Sequence, residues 1–444
     1  MSVQVISAHA VVIDRSMSRL QFLTLFLCFL VVAADGFDLA SVAYVGPLLK
    51  NLWHLAPAQL GPIFGAGLFG LTVGSFVFGP LADRIGRRRV ITISMILFGL
   101  GSLACAAAPS LSWLIALRFL TGAGLGGAMP NAITLSAEFS PARNRTFLVT
   151  LMFCGFTLGL AFAGLVASLL IPAFGWQGVF IFGGIAPLVL SPFIWAFLPE
   201  SLQFMHGRKG YEQEARRVIK RMTGDENTPF SAISPEASSE GKTETPVKIL
   251  FSRHFRAGTL LLWLTFFCTL WVYYQISNWL PLVITNAGID VVHAARVGAM
   301  LPLGGTLGSL INARLMDRMN PFRVLALSYV VAAVSIGLIG VCVHAPIWVY
   351  VAVFFAGLGL SGAQTGANVL AARFYTAGAR ATGVSWALGA GRIGSIIGSM
   401  TGGFVLLACH SVSLAFLVFA VPAVVAGMAM LVNGTLYRGG LTQI

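Results

Sequence analysis

Four charged side chains stand inside long apolar stretches of the 444-residue chain: Asp35, Asp38, Arg118 and Arg392. Charge placed in such surroundings is expensive and marks function. Asp35 and Asp38 are three residues apart, so on a helix they share a face. Two carboxylates that close do not both ionise readily in a low dielectric. One is expected to carry a proton, while a neighbouring cation holds the other charged. Arg118 is the candidate cation, and the three residues together could take up and release a proton. The alternative is a buried ion pair that only sets helix packing, a role that needs no second Asp. Arg392 differs, because no acidic residue of its half of the chain lies in an apolar stretch. Its guanidinium is best completed by the carboxylate of a bound molecule, held by two parallel hydrogen bonds. Backbone carbonyls, or one of the two Asp residues, are the alternative partners.

The stretches that carry these charges define the fold. Hydrophobic residues make up 57% of the chain and charged residues 10%, where soluble domains hold about 25% charged. Apolar runs of about 20 residues can each cross ~30 Å of hydrocarbon. They fall near 20–49, 59–80, 90–109, 111–137, 146–171 and 176–198, and again near 257–284, 294–314, 322–343, 346–372, 382–408 and 411–434. The runs are continuous rather than alternating, which excludes a β-barrel. The expected fold is an all-α integral membrane protein with twelve transmembrane helices. Six belong to an N-terminal half, residues 1–198, and six to a C-terminal half, residues 257–444. Residues 199–256 are polar, contain Pro229, Pro235 and Pro246, and read as a linker with a short amphipathic helix at Tyr211–Met222.

The net charge of +13 would by itself suggest a nucleic-acid partner. With a cytoplasmic N-terminus, however, all of the 28 Lys and Arg except Arg118, Arg392, Lys50 and Arg296 fall on the cytoplasmic side. That is the positive-inside pattern, and it removes the case for nucleic acid. The expected location is a bacterial inner membrane, crossed many times, with both termini cytoplasmic. At ~1.5 Å per residue, Asp35 and Asp38 lie roughly 24–28 Å from the cytoplasmic end of span one. Arg118 lies roughly 10 Å from the outer end of span four, and Arg392 roughly 15 Å into span eleven. In a core of ~30 Å the first two depths overlap, so an Asp–Arg pair is feasible, and Arg392 sits near the midplane.

Other chemistries find no support. Cys28, Cys105, Cys154, Cys268, Cys342 and Cys409 stand singly in apolar runs, without metal or redox spacing. There is no Walker loop, no HExxH, no nucleophile elbow and no GxGxxG after a strand. No enzyme activity and no cofactor are expected. The first apolar run carries two Asp and lacks a small-residue cleavage site, so it does not read as a cleavable signal.

An internal repeat names the architecture. Thr72-Val73-Gly74-Ser75, Leu81-Ala82-Asp83-Arg84 and Arg89-Val90 return as Thr306-Leu307-Gly308-Ser309, Leu315-Met316-Asp317-Arg318 and Arg323-Val324. Two six-span halves repeated in parallel imply a substrate site at the midplane between them, and transport by rocking. The segment Gly79-Pro80-Leu81-Ala82-Asp83-Arg84-Ile85-Gly86-Arg87-Arg88-Arg89 resembles the loop signature of the major facilitator superfamily. Arg118 with Gly122, Gly124, Gly126 and Gly127 resembles its fourth helix, and Leu198-Pro199-Glu200-Ser201 the end of its sixth. Asp35-Gly36-Phe37-Asp38 resembles the first-helix signature of the aromatic acid:proton symporter family of that superfamily. Arg380-Ala381-Thr382-Gly383, with Trp386, Gly389 and Gly391-Arg392-Ile393-Gly394, resembles that family's eleventh helix. The resemblance implies proton-coupled uptake of benzoate-type acids, with Asp35, Asp38 and Arg118 in proton coupling. The chain departs from the family at Tyr375-Thr376, where Tyr-Pro is common. Span five carries Gly155, Gly159 and Gly164 without the Gly-Pro of antiporters, which favours symport.

The remaining candidates follow from position. Asp83, Arg84, Arg87, Glu138, Asp317 and Arg318 flank the cytoplasmic loops and could latch that side through ion pairs or helix-end contacts, or serve only as topology signals. Phe37, Trp386 and Tyr273 could stack on an aromatic ring. Asn131, Gln275, Asn278, Gln364 and Asn368 could bond a ring hydroxyl, although amides also glue helices together. The expected protein is a monomeric symporter that imports a small aromatic carboxylate, such as 4-hydroxybenzoate, protocatechuate or benzoate, with a proton. The alternatives are a transporter of another organic acid or sugar, or a drug/proton antiporter. Arg392 argues against a neutral sugar, and the absence of further membrane acids against a cationic drug. A receptor would need a folded signalling domain, for which residues 199–256 are too short and polar.

Overall fold

Among the described residues, eleven helical segments are long and apolar enough to cross a membrane. The computed structural model describes residues 17–141, 144–205, 208, 210–223, 246–343, 345–375, 377–409 and 411–437. The first half holds α1 (Arg19–Leu52), α2 (Pro57–Ile85), α3 (Arg87–Ala106), α4 (Leu111–Leu125), α5 (Ala128–Phe139) and α6 (Arg145–Phe197). Three short helices follow: α7 (Leu202–Met205), α8 (Glu212–Thr223) and α9 (Pro246–Leu250). The second half holds α10 (Arg256–Asn286), α11 (Val291–Arg318), α12 (Pro321–Cys342), α13 (Pro346–Phe374), α14 (Ala377–Ala408) and α15 (Val412–Leu436).

Two breaks reconcile this with twelve crossings. Helix α6 runs for 53 residues, about 80 Å, far more than one membrane thickness. It breaks at Gly175, whose φ of 67° and ψ of −168° are not helical; a side chain there would be strained. The two parts are spans five and six. Span four, expected as one helix, is α4 and α5, joined through Gly126 and Gly127, two residues that hold a helix poorly. Helix starts follow local chemistry. Ser18 and Gln21 form a capping box on α1, Asn320 caps α12, and Pro57, Pro321 and Pro346 open their helices.

The amphipathic linker helix appears as α8. Its Ala215, Val218 and Ile219 are buried in the core of the first half, and Glu214 pairs with Arg88 at 3.4 Å. Linker residues 224–245 lie outside the described residues.

The apolar cores show how the halves meet. On the side away from the linker, one core joins both halves, with Tyr44, Leu49, Leu60 and Phe64 against Trp279, Ile284 and Ala295. On the linker side the core divides. One cluster draws only on the first half and α7–α8, the other only on α9 and the second half. Hydrogen bonds between halves follow suit: Lys50 Nζ to Asn286 Oδ1 (3.0 Å) on the far side, with Thr306 to Thr157 (2.9 Å) and Arg392 to Ser75 (3.3 Å) at mid-depth. The bundle is closed on the far side and parted on the linker side.

Candidate functional site

The site is set by the crossing of α1 and α6. A Cβ on Gly36 would collide with the Phe156 carbonyl, and one on Gly159 with the Ala33 carbonyl. Only glycine permits this approach, and it fixes the depth and rotation of the turn that bears Asp35 and Asp38. Asp38 is buried and accepts a 2.7 Å hydrogen bond from Nη1 of Arg118 on α4, itself 1% exposed. The Arg118 guanidinium also lies 5.9 Å from the centre of the Phe180 ring. This is a desolvated ion pair within the first half, at the depth overlap expected from the span lengths.

Asp35 is different. It is 1% exposed, and neither carboxylate oxygen has a hydrogen-bond partner among the described residues. Across the interface stands Arg392 of α14, half-buried, whose only side-chain hydrogen bond among the described residues is the long one to Ser75. A guanidinium has five N–H donors, so most of its capacity is free. The charge of Arg392 acts on Asp35, and both charges act on Tyr274. The first half thus holds an unpaired acid and the second an under-used base.

Other candidates occupy different places. Phe37 points into the first half, its ring 5.4 Å from that of Phe182 and 6.3 Å from that of Phe162; it packs helices and does not line the opening. Trp386 stands apart from Arg392. Six residues from Arg392 on one helix place it about 120° round the axis. It is 48% exposed on a face that continues through Ile393 and Phe404, as a helix turns toward lipid, and it stacks on Trp263 at 5.5 Å. Asn131 closes on the Gly127 carbonyl at the α4–α5 break. Asn278 donates to Ser399 at 2.8 Å, binding α10 to α14. Gln275 is buried on α10. Tyr273 is buried with its ring 5.6 Å from that of Tyr274. Gln364 and Asn368 share a half-buried face of α13.

Among the described residues, no ion pair of the six latch candidates joins one half to the other. Arg87 pairs with Glu138, inside the first half. Asp317 meets Arg373 at 3.5 Å, inside the second. Asp83, Arg84 and Arg318 are exposed. The carbonyls of Asp83 and Arg84 accept bonds from Arg208 of the linker, at 2.6 and 2.9 Å. Glu200 plays a part that residue spacing did not suggest. Its Oε1 accepts from the backbone N–H groups of Arg87, Arg88 and Ser201, a carboxylate set on the positive end of α3. The visible signal was an acid just beyond span six, opposite a basic loop.

A family model described as Major Facilitator Superfamily matches residues 26–342 and 297–436. The chain belongs to the major facilitator superfamily. It is 40% identical over 423 residues to a gallate transporter of Pseudomonas putida, covering 95% of this chain and 93% of that protein. It is 39% identical over 430 residues to the 4-hydroxybenzoate transporter PcaK of Acinetobacter baylyi, covering 96% and 94%. Within the superfamily it therefore falls among the aromatic acid transporters; it is a multi-pass membrane transporter and not an enzyme. The inward open xylose transporter XylE of E. coli shares the fold, with a TM-score of 0.74 at 16% identity over 93% of this chain and 96% of that one.

Proposed function

We propose that the chain imports a small aromatic carboxylate together with one proton across the bacterial cytoplasmic membrane, with the linker side in the cytoplasm. The supporting observation is the pair of charges without an ion-pair partner, Asp35 in the first half and Arg392 in the second, near enough to act on each other. The relatives that carry gallate and 4-hydroxybenzoate support an aromatic acid as cargo. In the empty carrier, ionised Asp35 balances Arg392. When Asp35 takes a proton, Arg392 is released to grip the substrate carboxylate by two parallel hydrogen bonds. Asp38 and Arg118 stay paired throughout and hold their turn of α1 in place.

The four intramembrane charges sum to zero in the empty carrier. They sum to zero again once proton and carboxylate have both bound. With the linker side cytoplasmic, the conformation seen here is inward-open, the state from which both are released. Proteoliposome counterflow with a labelled hydroxybenzoate tests the cargo, and Arg392→Lys tests the anchor. Lys keeps the charge but cannot form the planar fork. An increase of about tenfold in KM is expected, the scale of one lost charge-assisted bond. Unchanged affinity would remove Arg392 from the site, and exchange of a sugar or cationic drug instead of aromatic acids would overturn the reading.

A further inference from the structure

Four amides inside the helical bundle have partners among the described residues. Gln21 bonds the Phe139 carbonyl, Asn131 that of Gly127, Asn278 the hydroxyl of Ser399 and Asn312 that of Ser328. Gln364 and Asn368 of α13 are exceptions: Oε1 of the first and Oδ1 of the second are buried without a partner among the described residues. Asn433 is also unmet, but it is 0% exposed and closed to any ligand. Gln364 and Asn368 are half-buried and one turn apart, so they place two amides on one half-buried face. The neighbouring edge of α13 is already engaged, with Thr365 hydroxyl 2.9 Å from that of Ser309 on α11.

A run of side chains leads from this face toward the charged centre. The charges of Asp35 and Arg392 both act on Tyr274, Tyr273 packs on Tyr274, and the Tyr273 hydroxyl lies beside Ser361, one turn from Gln364. Gln364 is ten residues from the linker-side end of α13, and Arg392 fifteen from that of α14. At ~1.5 Å per residue their depths differ by about 7 Å, a span that one substituted benzene ring can bridge. An unmet amide is met best by a group that both donates and accepts, and a phenolic hydroxyl does both.

We propose that Gln364 and Asn368 bind a hydroxyl on the substrate ring, so that the transporter prefers ring-hydroxylated aromatic acids to unsubstituted ones. This rests on the reading that places the carboxylate at Arg392. The test is competition for counterflow by benzoate, 3-hydroxybenzoate, 4-hydroxybenzoate, 4-methylbenzoate and 4-methoxybenzoate. The intact transporter should bind at least one hydroxybenzoate about tenfold tighter than benzoate, the scale of a hydrogen bond to an otherwise orphaned group. If the 4-hydroxy acid is the preferred one, methyl and methoxy acids, which cannot donate, should bind no better than benzoate. In Gln364→Leu/Asn368→Leu the hydroxy acid should fall to the affinity of benzoate, while benzoate itself is little changed. A hydroxyl preference that survives both substitutions overturns the proposal. So does a wild-type protein that binds all the acids equally, which leaves the aromatic-carboxylate reading intact. Failure to bind any aromatic acid would overturn both. The ligand series on the intact transporter decides the matter even where the double variant does not fold.

Discussion

If the chain is the proton symporter proposed above, Asp35→Asn should convert it into a carrier of bare anions, because of the charges that remain. Asp38 and Arg118 cancel within the first half, which leaves Asp35 and Arg392. On the proposed reading both the empty and the loaded wild-type carrier are neutral, so the membrane potential should not drive the cycle. A gradient of one pH unit stores about 1.4 kcal/mol per proton, and one proton per substrate should concentrate the acid about tenfold. With Asn at position 35 the empty carrier is left with the uncompensated +1 of Arg392, and only the loaded carrier is neutral. Net transport then moves one negative charge. A potential of 100 mV, negative inside, is worth ~2.3 kcal/mol per charge, so it should exclude the anion by roughly 50-fold. Proteoliposomes with the potential clamped by potassium and valinomycin, and the pH gradient set separately, measure both quantities. Substrate exchange at equal pH should persist in the variant, because Arg392 is intact. Tenfold accumulation per pH unit in Asp35→Asn, or a wild type driven by potential alone, would refute the charge count.

The other predictions concern packing and gating. Asp38→Asn should leave Arg118 buried and unpaired, with a loss of about 3–5 kcal/mol visible as a lower unfolding temperature in detergent; Asp38→Asn/Arg118→Gln should recover part of it. Trp386→Leu should change the KM for aromatic acid by less than about twofold, since its ring stacks on Trp263 on the outer face and a surface change is worth about half a kcal/mol. Gly61→Val should prop open the far side, because a Cβ there would stand 2.6 Å from the Met400 carbonyl oxygen of α14. A Val45→Cys reporter, buried in the joined core, should then react severalfold faster with an impermeant thiol reagent added from the far side.

Much of this was legible before the helices were placed. Continuous apolar length gives the spans, and two glycine pairs or turns, Gly126-Gly127 and Gly175, account for where helix count and span count part. Depth along a helix is linear in residue number, so the meeting of Asp38 and Arg118 could be anticipated from two offsets. Rotation was harder. Spacing shows that Asp35 and Asp38 share a face, but the choice of Asp38 as Arg118's partner depends on how α1 turns against α6, which the Gly36 and Gly159 contacts fix. Trp386 follows the same logic. Its neighbourhood in sequence suggested the cavity, whereas six helical steps carry it a third of a turn away from Arg392. Phe37 lies between the two acids in sequence yet turns into the α6 aromatic cluster. The linker-side ion pairs depend on conformation as well as sequence: Glu138 and Asp317 each pair with a base of their own half, and Glu214 of the linker with one of the first half.

The repeat explains why the chain folds as two like halves, but the work of coupling rests on what the halves do not share. On the proposed reading the first half carries −1 when Asp35 is ionised and zero when it is protonated, while the second carries +1 from Arg392. Asp35 is already buried with the linker side parted, and closing that side would remove water from half-buried Arg392 as well. Two states bring a balanced pair into that dry interface: ionised Asp35 with empty Arg392, and protonated Asp35 with Arg392 holding a carboxylate. The two mixed states bring an unbalanced charge, and burying one of those costs several kcal/mol. Each kcal/mol slows passage through a mixed closed state about fivefold. Tight coupling therefore needs no ion-pair latch on the linker side. It follows from a penalty on closing around the wrong charge, set by one unpaired acid in the first half and one unpaired base in the second.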